Sequence, residues 1–409
     1  MTKKICILTQ SHLCRNPRVV KEANAFANAG YQVTILTTFT YADLLEEDLK
    51  LIDTEKIAYK GIINMIPGKA PKWYRLKERI KRRLAGELIG RFRIENAYAL
   101  GYDYNKNLRA AIREDADLYT CHQEISTVIG CVLIRKGFKV AFDFEDWYSH
   151  DLLPAANRTR PIKLLEKSER FALQHAVLNY TTSESLSAAL ADFAASAHPK
   201  VLHNVFPLAE RKLMDGKFID RQSFDLPSIH WYSQTIGPGR GLEFLIETLS
   251  MLNTPVQLHL RGNLFGDFKE TLTGIFPFDK GHQLYFHHLV PHFELLSRIA
   301  EHDIGLAVEE YTPDSRNLTI TNKILQYLLA GIVVVATDTD GQKEVALSSK
   351  AVFLFKNKNK ASLIAVLEDL LSDKTKLNET KEIALHDATR VYCWEKQEPQ
   401  LLKWISEII

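Results

Sequence analysis

NLTITNKILQYLLAGIVVVATDTDGQKE, residues 317–344, reads in one pass as cap, helix, stop, strand and turn. Thr319, Thr321 and Asn322 are polar residues suited to a helix N-terminus. ILQYLLA follows, mostly apolar, and Gly331 fits the left-handed position that ends helices. IVVVA is a short, fully apolar, β-branched run, so it predicts a strand buried on both faces. DTDG breaks that strand, and ligands bind outside the carboxyl end of strands of this kind. Asn322, Lys323 and Gln326 fall on one edge of the helix, since residues three and four apart are neighbours. That edge lies near the helix N-terminus, where the dipole and the free N–H groups favour an anion. Lys323 opposes the dipole there. It is either a solvated lysine on a core helix or the counter-charge of an anion site.

Upstream, the same βα alternation runs through SIHWYSQTI, GLEFLIETLSML, VQLHLRGN, QLYFHHLV, PHFELLSRIA and DIGLAVEE. Gly237-Pro-Gly-Arg-Gly241 lies between the first of these strands and its helix. Glycines let backbone N–H groups approach an anion, and Arg240 offers a forked contact to phosphate. Gly237, Gly239 and Gly241 serve the same turn whether it binds a ligand or is merely tight. Two anion-suited helix starts in one βα domain point to a diphosphate, and such a site stabilises a leaving diphosphate without metal. Glu309 and Glu310 end the DIGLAV strand on the same side, either against a ligand or in solvent.

The first half opens the same way. KICILTQ and YQVTILTTF are strands around a helix that starts near Pro17 and stops at Gly30, which argues a parallel, doubly wound sheet. No GxGxxG follows the first strand, which argues against a dehydrogenase. DADLYTCH and FKVAFDF are further strands; the second runs into the loop of Asp143, Glu145, Asp146, His150 and Asp151, either carboxylates solvated or bound to backbone N–H groups or a metal site. Around Asn204 and Pro207 the chain turns extended and turn-rich, which sets a domain boundary at 203/204.

The 409 residues suffice for two or three domains, and 46% hydrophobic with 25% charged residues is ordinary for a globular chain. The net charge of +2 carries no polyanion signal. The five cysteines are odd in number and lack CxxC spacing, as expected of reduced cytosolic thiols. No apolar run approaches a membrane span, and the one at the start is too short for a signal-peptide core. Residues 72–93 are the most biased segment, with nine Lys/Arg against Glu78 and Glu87, a local +7 that leaves −5 for the remainder. Trp73, Leu76, Ile80, Leu84 and Leu88 form a stripe at helical spacing among Arg79, Lys81, Arg82 and Arg83. Such a helix is either a solvated surface helix or one suited to the headgroup boundary of an anionic membrane.

Residues 322–345, NK-I-L-Q-Y-L-L-A-G with strand and turn, resemble the nucleotide-contacting segment of GT-B glycosyltransferases, most closely the retaining family 4 type. Asn16-Pro17-Arg18-Val19 resembles that family's first loop, and GPGRG resembles its donor-diphosphate loop, with Arg240 at the basic position and Thr235 where an earlier arginine stands. His122 resembles a family histidine that lies by the reacting sugar. The usual glutamate pair is replaced by Leu318 and Gln326.

The resemblance implies an α/β fold of two Rossmann-like, doubly wound domains facing a cleft. These are an acceptor-side domain (1–203), a nucleotide-sugar domain (204–388) and a last helix (389–409) that packs back on the first. It implies retaining sugar transfer from a nucleoside-diphosphate sugar to a lipid-linked glycan or polysaccharide precursor. Arg240 and Lys323 would hold the diphosphate, Asn322 and Gln326 the ribose or phosphate. His122, Glu309 and Glu310 would lie at the reacting sugar, with Asn16 and Arg18 on a cleft loop. No metal, cofactor or nucleic acid is expected. The location implied is cytoplasmic, peripheral on the inner membrane face, with Trp73 and its basic neighbours towards the lipid. Two other readings stay open: a UDP-sugar 2-epimerase of the same fold, and a nucleotide-binding pseudoenzyme lacking the glutamate pair.

Overall fold

The computed structural model describes residues 2–409, and the chain packs as two units. The first comprises the chain through Leu202 with Pro313–Ser315 and Glu398–Ile409; the second is His203–Thr312 with Arg316–Gln397. The change of unit after Leu202 lies beside the turn-rich stretch at Asn204. Within the last helix, Trp394–Ser406, the change falls after Gln397. The sequence carried no sign that Pro313–Ser315 would join the first unit.

The first unit holds a sheet of seven strands: β1 (Lys4–Leu8), β2 (Gln32–Phe39), β3 (Ile57–Asn64), β4 (Leu118–His122), β5 (Val140–Phe144), β6 (Leu178–Thr181) and β7 (Lys200–Val201). All pair in parallel, in the order β3-β2-β1-β4-β5-β6-β7. The second unit holds six: β8 (Ser228–Ile236), β9 (Gln257–Leu264), β10 (Gln283–His287), β11 (Ile304–Ala307), β12 (Val333–Thr337) and β13 (Val352–Phe355), in the order β10-β9-β8-β11-β12-β13. These too are parallel throughout. Parallel sheets covered by helices bury both faces, so β4, β5, β11 and β12 are buried at every residue and β1 at every residue but Lys4. In each sheet the order reverses beside the first strand, between β1 and β4 and between β8 and β11. There the loops diverge and leave a crevice beyond the carboxyl ends.

The helix Asn322–Ala330 forms as its sequence dictates, with Thr321 at its N-cap and Gly331 left-handed at φ 77°. β12 is buried at every residue. The following DTDG, expected as a turn, instead starts the helix Asp340–Ser348. Gly341 permits this start: a Cβ on it would lie 2.3 Å from the Thr319 carbonyl oxygen. Only a residue without a side chain lets this helix end press onto the backbone leading to Asn322.

Candidate functional site

The crevice between β8 and β11 opens into a cavity of about 530 Å³, lined by Gly239–Gly241, Val308–Glu310, Arg316, Lys323 and Asn357–Lys358, with Trp231, Phe244 and Phe355 as its apolar wall. Gly239 and Gly241 are left-handed, at φ 73° and 76°. Gly241 caps the helix Leu242–Leu249, and no side chain bonds that helix end. A Cβ on Gly241 would stand 2.7 Å from Val308 Cγ1, so the loop and the end of β11 touch directly. Both anion-suited helix starts, with Arg240 and Lys323, thus line one cavity.

Glu309 organises its charge. Lys323 Nζ donates to Glu309 Oε1 at 2.6 Å, and Arg316 Nε stands 3.9 Å from Oε2. Thr337 Oγ1 accepts from the Glu309 amide at 3.0 Å, which ties the site to the end of β12. Burial disfavours the Glu309 carboxylate, yet Lys323, Arg316 and Arg240 hold its pKa below the ordinary value. Glu310 lies 3.5 Å from Lys358. Arg240, Arg316, Lys323 and Lys358 therefore outnumber the two carboxylates, and the cavity carries an excess positive charge that suits a polyanion. Sequence reading missed Arg316 and Lys358. Lys358 was within reach, because the basic run at 356–360 follows the carboxyl end of β13 and so belongs on the same rim.

The expected edge of three polar residues is divided in the structure. Asn322 is exposed and accepts from Asn204 Nδ2 at 3.2 Å. Gln326 is buried, and its Oε1 accepts from the Tyr232 hydroxyl, so it faces the sheet and not the cavity. Three residues further around a helix is far enough to enter the core when the apolar face is wide.

In the first unit, Arg18 and His122 are both turned inward. Arg18 is 1% exposed; its guanidinium donates to both Asp143 oxygens and, at 2.8 Å, to the Leu202 carbonyl. The expected open-loop arginine is a core ion pair instead, because its helix Pro17–Asn28 starts one residue earlier and packs that side inward. His122 is fully buried. Its Nε2 meets Glu22 at 3.1 Å, and its Nδ1 lies 3.2 Å from Glu145 and 3.3 Å from Asp143. Burial favours the neutral ring, but Glu22 and the bonds to Asp143 and Glu145 raise its pKa well above 6.5. Both ring nitrogens therefore meet carboxylates and neither is left for a sugar, contrary to what the resemblance implied. Asn16 caps its helix through Val19 and donates to Glu145 Oε1 at 3.1 Å. His122 and Asn16 together orient Glu145, whose side chain keeps 19% of its surface exposed.

Glu22, His122 and Asp143 bring potential ligand atoms within 4.8 Å of one another, the sole such group among the described residues. The Arg18 guanidinium shares that space, so two buried cations already face the two buried carboxylates. The arrangement is a closed ion network and assigns no metal.

Trp73, Arg79, Arg82 and Arg83 are exposed on the helix Lys72–Phe92, while Lys81 turns to Glu78 at 2.8 Å. No helix among the described residues is long and apolar enough to cross a membrane.

No protein-family model and no curated protein matches the sequence. Solved structures do. A sucrose-phosphate synthase from Thermosynechococcus elongatus superposes with a TM-score of 0.73 at 13% identity, over 99% of both chains. Anabaena HepE in complex with UDP-glucose gives 0.66 at 16% identity, again over 99% of both. A candidate UDP-N-acetylglucosamine 2-epimerase from Listeria monocytogenes gives 0.57 at 12% identity, over 100% of this chain and 96% of that one. With two parallel α/β units that match such proteins end to end, this chain has the GT-B fold.

Proposed function

We propose that the protein is a glycosyltransferase that moves a sugar from a nucleoside-diphosphate donor to a lipid-linked glycan or polysaccharide precursor, with retention of anomeric configuration. The observation that carries this reading is the cationic cavity at the β8/β11 crevice, where Arg240 and Lys323 meet at two helix N-termini. As the bond from sugar to diphosphate breaks, negative charge grows on the leaving phosphate. Guanidinium, ammonium and helix-end N–H groups aimed there stabilise it without a metal. Lys323 is held at the site by Glu309 until the donor arrives. Phe244 and Phe355 suit the flat face of a nucleobase, and Asn322 is left to the ribose or phosphate. Gln326 acts through Tyr232, and His122 and Asn16 act by orienting Glu145. The similarity in fold to HepE, crystallised with UDP-glucose, supports a nucleotide-sugar donor. The basic, apolar helix Lys72–Phe92 supports a peripheral position on the cytoplasmic face of an anionic membrane.

Arg240→Ala and Lys323→Ala should each weaken UDP binding by roughly ten- to hundredfold, since a charge-assisted phosphate contact is worth about 1.5–3 kcal/mol. Calorimetric titration returning the parental affinity for both variants would remove the diphosphate from this cavity. Transfer should survive EDTA. The epimerase reading, favoured only by the likeness in fold to the Listeria protein, is separated by incubating UDP-sugar without acceptor and looking for an epimerised product.

A further inference from the structure

The helix Lys72–Phe92 turns Glu78, Ala85 and Ile89 inward. Six large apolar side chains lie on its outward side, Trp73, Leu76, Ile80, Leu84, Leu88 and Phe92, between 38% and 66% exposed, with the charged Lys77, Glu87 and Arg91 among them. At 3.6 residues per turn, that stripe centres roughly 120° from the buried side, so no other part of this helix packing covers it. Lys72, Arg79 and Arg83 run along one flank of the stripe.

Beside that flank lies a groove of about 860 Å³ in which Arg79, Arg82, Arg83 and Arg160 converge, with Tyr102 and Thr159 in its walls. Its one carboxylate, Glu87, is turned to Arg91 at 3.2 Å. Arg160 meets Glu124 through Nη2, while its Nη1 is buried without a hydrogen-bond partner. Arg82 lies over the Tyr102 ring, 5.4 Å from its centroid, which holds the guanidinium at the groove wall. Four guanidiniums in one groove match the forked geometry of phosphate oxygens.

A second cavity, of about 660 Å³, occupies the β1/β4 crevice. Thr9, Gln10, Thr38, Thr40, Asn107 and Ser126 give it hydroxyl and amide groups, and it contains no carboxylate. Arg82 and Tyr102 line both spaces, so groove and cavity share a wall. A hydrogen-bonding chamber free of carboxylates, walled by Arg82 from a cluster of arginines that flanks exposed apolar side chains, has the sequence of chemistries found in a lipid-linked saccharide.

We propose that this surface takes an acceptor saccharide joined to its lipid through a diphosphate. The diphosphate lies over Arg79, Arg82, Arg83 and Arg160, the sugar enters the β1/β4 cavity, and the lipid runs along the Trp73–Phe92 stripe. This rests on the transferase reading and names the carrier of its acceptor. The test is co-sedimentation of the full chain with phosphatidylcholine vesicles carrying a polyisoprenyl diphosphate, against vesicles of equal charge made with phosphatidylserine. The parent should bind the diphosphate vesicles at least about tenfold more tightly. Arg79→Gln with Arg83→Gln, both at exposed helix positions, should abolish that preference while leaving UDP titration unchanged. Leu84→Ser with Leu88→Ser should weaken both vesicle types alike. Equal binding of the parent to the two vesicle types would reduce the surface to a charge effect and overturn the proposal, as would a preference that survives the double arginine variant. Failure to bind UDP, with the lipid preference intact, would strike the transferase reading alone and support this surface.

Discussion

Glu309 is where the cations of the β8/β11 cavity converge, and under the proposed function its carboxylate would compete with the donor phosphate for Lys323. Glu309→Gln keeps the size and one acceptor but removes the competing charge. UDP should then bind roughly two- to fivefold more tightly, the ~0.4–1 kcal/mol of a partly exposed ion pair, while sugar transfer falls if the carboxylate touches the donor. Weaker UDP binding in this variant would mean that Glu309 positions Lys323 and does not compete with the ligand. Arg18 shows the opposite case. It pairs with Asp143 where neither reaches solvent, so its charge serves the core and not a ligand.

At the scale of elements, the second sheet carries a row of rings. Register pairs His230 with His259 and His259 with Tyr285, while His230 faces Gly305 on β11. Tyr327 fills the place of the missing side chain; a Cβ on Gly305 would lie 2.3 Å from its ring. His302 stacks on His230 at 4.6 Å, and His259 Nδ1 lies 3.0 Å from His287 Nε2. Burial, with the charge of Arg261, Arg221 and neighbouring imidazoles, lowers the pKa of His230 and His302 well below 6.5 and that of His259 to about 3, while Asp220 opposes the shift at His230 and His259.

The unfolded chain binds these protons near pH 6.5 and the folded unit excludes them. Their contribution is thus complete above about pH 6.5 and lost as pH falls below it. His122 runs the other way, its contribution complete below pH 6.5 and lost as pH rises through its raised folded value. His230→Phe should therefore flatten the acid limb of a plot of unfolding midpoint against pH, between about 6.5 and 4.5. An acid limb as steep as the parent's would show that the row is not the acid-sensitive element.

For the whole molecule, the cationic cavity at the β8/β11 crevice, where the proposed donor would bind, belongs to the second unit alone. A ligand stabilises the part that binds it, so UDP at ~100 times its dissociation constant should add about 2.7 kcal/mol. That gain should appear in the unfolding of the second unit, and two units unfolding separately make it visible as one shifted transition. A calorimetric scan against UDP, GDP, ADP and TDP will select the base. Scans that none of the four shifts would contradict a nucleoside-diphosphate donor.

Local pattern was enough to read the elements that form the crevice. The apolar run of β12, Gly331 at a left-handed stop and the glycines before Leu242 each specify their conformation through neighbours in sequence, because burial on two faces and positive φ leave few alternatives. The stripe on Lys72–Phe92 was legible for the same reason, since helical spacing alone sets which side chains share a face. What sequence left undecided was the direction in which a polar side chain spends its charge. Arg18, His122, Lys323 and Gln326 were all legible as polar residues near strand or helix ends. Only the packing of distant strands decided that Asp143, Glu22 and Glu145 would enclose His122, that Glu309 would take Lys323, and that Tyr232 would take Gln326. Those partners lie up to 100 residues away between Glu22 and His122, and a buried charge is placed by whichever countercharge the fold brings to it.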